Sequence, residues 1–210
     1  MHNVGMGRVG RTAVAGLSLL LVVGLAGCRW RPPAASVDGE EITVDELKDD
    51  IDMLRDNPEL AGLVFSVVPP EDAPVPADLT AQVLTMRIVE PMLADSYERS
   101  PNKLSAEDEA AQRQDLESQL LAALGGDQAT LDRIPDAYVD RLVGRLVHST
   151  ALFSDVPAEE RPAVAQALFG SYDIEVDPKY GSWDPLNYQV VTNPVPGAPT
   201  LDLSLLSPQQ

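Results

Sequence analysis

"ASVDGEEITVDEL", residues 35–47, decides how the rest of the chain is read. Asp38-Gly39 is a strong two-residue turn signal between two short extended pieces, so 35–43 reads as strand, turn, strand. Thr43-Val44-Asp45-Glu46 then has the form of a capping box. The Thr43 hydroxyl covers an orphan amide of the first helical turn, and Glu46 reaches back to the Thr43 amide. A helix therefore starts here, with Ile42 and Leu47 positioned as a hydrophobic staple. Leu47, Ile51 and Leu54 follow at spacings of four and three, which puts them on one face, and Asn57-Pro58 ends the helix.

Beyond it the periodicity stays helical for more than 100 residues. "ELAGLVFSVV" (59–68) fits a short helix or a buried extended run, and "PPEDAPVPA" (69–77) is a loop. From Asp78 to about Arg99 a long helix carries Leu79, Val83, Met86 and Leu93 on one stripe, with Leu84, Ile88 and Met92 beside it. So wide an apolar arc implies more than one neighbour, and Pro91 predicts a kink near 87–91. Ser105 caps a helix that Gly125-Gly126 ends. Asp127 opens a short helix to Ile134, and Pro135-Asp136 opens another through Phe153. The stripe of that helix is Val139, Leu142, Val143, Leu146, Thr150 and Phe153. Residues 158–169 form the last helix.

Then the period changes to two. Tyr172, Ile174 and Val176 alternate with polar neighbours, a strand pattern. "KYGSWDPL" (179–186) is turn-rich, with two rings that are expected to pack over the sheet and pin the chain end. Neither terminal strand is stable alone, so the economical solution pairs Ser36, Val37 and Ile42 with Tyr172–Val176. The expected fold is mainly α, closed by a small two- or three-stranded β-sheet built from both ends of a domain spanning 36–186. Residues 187–210 read as a flexible Pro-rich tail. Removing 188–210 is then expected to leave folding intact, and removing everything from 172 onward to unfold the domain.

The front of the chain carries a different signal. Arg8 and Arg11 precede a small and apolar stretch, Thr12 to Gly24, of about 13 residues. Spanning a membrane takes roughly 20. The stretch closes on Leu25-Ala26-Gly27-Cys28, which resembles the lipobox of bacterial lipoproteins. That resemblance implies diacylglycerol on the Cys28 sulfur and cleavage just before it. Residues 1–27 are then a signal peptide, and 28–35 a lipidated tether. A disulfide within the chain is excluded, since Cys28 is the only cysteine. Acyl chains stabilise membrane attachment by about 0.8 kcal/mol per buried methylene. The expected address is the extracytoplasmic face of a cell membrane. Cys28→Ser is expected to move the protein out of the membrane fraction or leave it uncleaved; unchanged size and partitioning would contradict this.

Two arginines and no acid precede Cys28, so cleavage leaves 13 Lys+Arg against 33 Asp+Glu. So negative a chain is unsuited to nucleic acid and is repelled by anionic lipid within a Debye length of about 8 Å. His148 is the only histidine after cleavage, and it sits within a helical pattern as a partly buried position. No cysteine remains for a Cys/His zinc site, and "DDIDMLRDN" lacks the glycine of a calcium loop. No metal or cofactor is expected.

The layout and the local sequence together resemble the chaperone domain of the SurA- and PrsA-type extracytoplasmic foldases, a fold of the trigger factor/SurA peptide-binding-like kind. The carrying stretches are "ASVDGEEITVDEL", "AQVLTMRIVEPMLADSYERSPNKLSAEDE", "IPDAYVDRLVGRLVHSTAL" and "YDIEVDPKYGSWDP". The resemblance covers roughly 35–186, and the order of its motifs is more specific than any one of them. Relatives of this kind often insert a parvulin prolyl-isomerase domain, and nothing here resembles it. What the resemblance implies is a non-catalytic scaffold that binds polypeptides.

Three functions follow. The first is a lipid-anchored, ATP-independent chaperone that shelters unfolded or exported polypeptides in an apolar crevice. Met53, Phe65, Met86, Met92 and Tyr97 are its candidate lining, and its negative rim would favour basic clients. The second is a non-catalytic interaction lipoprotein holding one specific envelope partner. The third is an enzyme, and no carboxylate spacing singles out an acid/base couple.

Overall fold

The computed structural model describes residues 32–65 and 74–192. The hairpin forms as the sequence dictates. β1 (Ala35–Val37) and β2 (Glu40–Ile42) pair antiparallel around Asp38 and Gly39, whose φ angles of 51° and 84° are both positive. Such a primed turn matches the twist of the flanking strands, and glycine adopts the second angle without steric cost. Both halves of the capping box are present. The Thr43 amide donates to Glu46 Oε2 at 2.8 Å, and the Glu46 amide donates to Thr43 Oγ1 at 3.2 Å. Helix α1 (Val44–Asp56) then buries Leu47, Ile51 and Leu54, and Asp50 shares their face.

Helix α2 (Pro58–Phe65) settles the ambiguous stretch as helical up to residue 65. α3 (Ala77–Glu98) runs continuously through Pro91 and is the centre of the domain. It packs against α1, against α6 (Asp136–Phe153), and against β1. α4 (Ala106–Ala123) and the short α5 (Gln128–Leu131) precede α6, and α7 (Arg161–Phe169) follows it. The stripe expected on α6 is corrected. Its buried residues include Tyr138, Leu142, Val143 and Val147, while Leu146 is 41% exposed. The helix packs against both α3 and α4, and the face it buries against them runs through 138, 142, 143, 147 and 152, leaving 146 outside it.

The C-terminal strand β3 (Ile174–Val176) pairs with β1, Ala35 opposite Val176 and Val37 opposite Ile174. The sheet order is β2-β1-β3, so one sheet joins the two ends of the described domain. Ile42 does not meet the C-terminal strand as expected; it lies on the edge strand opposite Ala35, because the hairpin already occupies that side of β1.

The expected tail from residue 187 is also corrected. β4 (Ser182–Asp184) and β5 (Gln189–Val191) form a second antiparallel pair. Val190 is buried and its amide donates to Thr85 Oγ1 at 2.8 Å; the Tyr188 ring meets Phe169 edge-on at 5.5 Å. The folded region therefore reaches at least Thr192, whose hydroxyl bonds to Asp78 on α3. Tyr180 and Trp183 pack against the core. No helix among the described residues is long and apolar enough to cross a membrane.

Candidate functional site

The five expected lining residues divide. Met92 and Tyr97 are fully buried and Met53 nearly so, and all three belong to the hydrophobic core; they are corrected from lining to packing. An unbranched thioether at helical spacing fills core gaps as readily as it lines a groove. Tyr97 is also fixed in place. Its ring stacks on His148 at 4.4 Å, its hydroxyl donates to Glu109 Oε2 at 3.1 Å, and the same hydroxyl accepts the Leu104 amide. Phe65 and Met86 are half-buried and border a cavity of about 20 Å³ with Val83, Tyr138 and Leu142. Cys28 lies outside the described residues.

A second set of side chains closes that cavity, and residue type did not single it out. Asp50 comes from α1, Arg87 and Glu90 from α3, Tyr138, Arg141 and Arg145 from α6. Each set shares one helical face, at spacings of three or four. Asp50 is buried at the junction and takes both neighbouring guanidinium groups. Arg87 holds it through two nitrogens, Nε to Oδ2 and Nη2 to Oδ1 at 2.9 Å. Arg141 Nη2 donates to Oδ1 at 2.7 Å. Arg141 Nε also lies 3.6 Å from Glu90, and its guanidinium sits 5.3 Å from the centre of the Tyr138 ring.

Burial governs the titration here. It pushes the Tyr138 phenol up to about 12, with the Asp50 charge acting in the same direction. It raises Glu90 as well, against the pull of Arg141 and Arg87. It lowers Arg145, which the nearby Tyr138 and Glu90 partly offset. A phenol so far from neutrality stays protonated and is a poor base. The cluster can hold helices together and present charge; it offers no activated nucleophile. Among the described residues no three His, Cys, Asp or Glu side chains converge as metal ligands do.

On the solvent side of the same arginines lies a groove of about 310 Å³ between the hairpin and α3. Val37, Ile42, Pro91 and Ala94 give it apolar walls. Glu40, Glu41, Glu46 and Glu90 give it acidic ones, and Arg87 and Arg141 form the boundary with the cluster beneath.

His148 is half-buried against Tyr97, away from both cavities. Burial holds its pKa below the ordinary 6.5, with Glu109 opposing. The folded chain thus binds fewer protons than the unfolded one in this window, and stability falls as pH drops through 6.5 toward the lower folded value. His148→Phe keeps the stack and removes the titration. Urea midpoints are expected to fall less for this variant than for the parent between about pH 7 and about pH 5; equal falls would show that other groups carry the dependence.

Compared with known proteins, the chain matches no protein-family model, no curated protein and no solved structure.

Proposed function

We propose that this protein is a lipid-anchored polypeptide binder of the extracytoplasmic face, working without ATP and without catalysis. The observation that carries the reading is the groove between the hairpin and α3, apolar along Val37, Ile42, Pro91 and Ala94. Lipid on Cys28 would keep this groove near the membrane where exported chains emerge. The acidic body would hold it off an anionic surface.

Size distinguishes the two ways of using it. A volume of about 310 Å³ takes a few side chains, at the lower end of what ligand clefts span. Met53, Met92 and Tyr97 are spent on the core, so an adaptable methionine surface for varied clients is much reduced. These facts favour an interaction lipoprotein that holds a short segment of a specific partner. The general chaperone reading keeps one support, the sheet that ties the two ends of the domain together as the foldase resemblance implies.

A soluble chain starting at residue 29 separates them. Expected is weak suppression of aggregation for several unrelated unfolded substrates, together with one envelope protein recovered at fixed stoichiometry. Broad suppression near equimolar ratio would restore the general chaperone. Neither result at all would remove polypeptide binding as the function.

A further inference from the structure

We propose that the groove takes an extended segment carrying a lysine or arginine beside small apolar residues; this rests on the polypeptide-binding reading above. Four observations point there. First, the apolar walls are Val37 and Ile42 of the hairpin with Pro91 and Ala94 of α3, enclosing about 310 Å³, room for a few small apolar side chains. Second, the positive groups at its base are already engaged: Arg87 and Arg141 both bond to Asp50 behind them. The four glutamates therefore set the sign of the groove. Glu46 is held as an anion by the hydrogen bonds from Thr43, and a cation entering beside Glu90 would offset the cost of ionising that half-buried carboxyl.

Third, Pro91 has no amide hydrogen, so the Arg87 carbonyl one turn back lacks its usual helical donor. Fourth, β2 is the edge of its sheet. In this hairpin register Glu41 is the β2 residue whose backbone amide and carbonyl turn away from β1, open to an added strand. A cationic extended peptide satisfies all four. Anionic lipid and nucleic acid carry the wrong charge.

The test uses the full lipidated protein in a neutral detergent and three capped peptides, Gly-Ala-Val-X-Val-Ala-Gly with X as lysine, norleucine or glutamate. At low salt the lysine peptide is expected to bind about tenfold tighter than the glutamate peptide. At about 0.5 M salt the gap should close to about threefold or less. Glu40→Gln with Glu41→Gln, both at exposed positions, should weaken the lysine peptide about three- to tenfold and the norleucine peptide by a clearly smaller factor. The charge reversal Glu40→Lys with Glu41→Lys should invert the order of the lysine and glutamate peptides.

Equal binding of lysine and glutamate peptides, or no response to either double variant, would overturn the inference. So would the absence of peptide binding. Ala94→Trp, which fills the groove, separates that failure from failure of the functional reading. If this variant, folded by circular dichroism, no longer captures the envelope partner, the groove is the binding site and only the cationic specificity was wrong. Undiminished capture would remove the groove itself.

Discussion

Asp50→Ala is expected to cost about 3–5 kcal/mol of folding stability, far more than its small side chain suggests. Asp50 is buried and bonded to two arginines from two other helices, so its removal strips the nearest counter-charge from both guanidinium groups. Glu90 is left to serve Arg141 from 3.6 Å. The loss comes from stranded charge, not from a lost attraction, because desolvation of the arginines is already incurred by the fold. Arg141 keeps about a third of its side chain in water, which places the effect toward the lower end of that range. Asp52→Ala is the control. That carboxylate faces solvent beside Lys48, and exposed pairs of this sort contribute about 0–1 kcal/mol. Urea unfolding of the two variants decides the matter. If Asp50→Ala fell by no more than Asp52→Ala, the cluster would be a surface feature and α1, α3 and α6 would be joined by apolar packing alone. Replacing Asp50, Arg87 and Arg141 together by leucine and methionines is expected to cost less than Asp50→Ala, since only Glu90 then loses its neighbouring counter-charges.

What could be read from sequence was local. The Asp38-Gly39 turn, the Thr43–Glu46 box and the Leu47–Ile51–Leu54 face depend on residues within a few positions of each other, and all appear in the structure. The same is true of the strand at 174–176, although its partner had to be argued from the instability of lone strands. The Asp50 junction is different. Its bonds join residues 37 and 91 positions apart. The spacings 87/90 and 138/141/145 hinted at two charged faces, but nothing local says that they turn toward the same carboxylate. Residue type misled for Met53, Met92 and Tyr97, because helical spacing and an apolar side chain are equally compatible with core and groove. The groove itself exists only because the hairpin lies over Pro91 and Ala94, a tertiary fact. β5 escaped because three residues are too few to show a period, and contacts with Thr85 and Asp78 on α3 define it.

That last difference changes what truncation should do. A chain ending at Thr192 keeps every described contact and serves as the reference. Ending it at Asn187 removes Tyr188 and Val190, and with them the ring contact to Phe169, the bond to Thr85 and the partner of β4. Burial of a valine is worth about 1.5–3 kcal/mol, and the tyrosine ring adds to it. A loss of about 3–5 kcal/mol is expected on that basis, with the α3–α6 core still folded. Gly181 fits the same account: its φ is 133°, and a Cβ there would lie 2.3 Å from the Val191 carbonyl, so that end is built around close approach. Ending the chain at Ser171 goes further and is expected to abolish cooperative unfolding. It removes Tyr172, which bonds to Asp95 and Arg99, and it uncovers the edge of β1 that β3 covers. Ala35 and Val37 would lose their partners on β3 and keep only those on β2, and a hairpin of two three-residue strands does not hold on its own. Thermal melts of the three chains rank the losses. A cooperative melt for the Ser171 chain would mean that the helices fold without the sheet, and that joining the two ends of the domain follows from the fold instead of creating it.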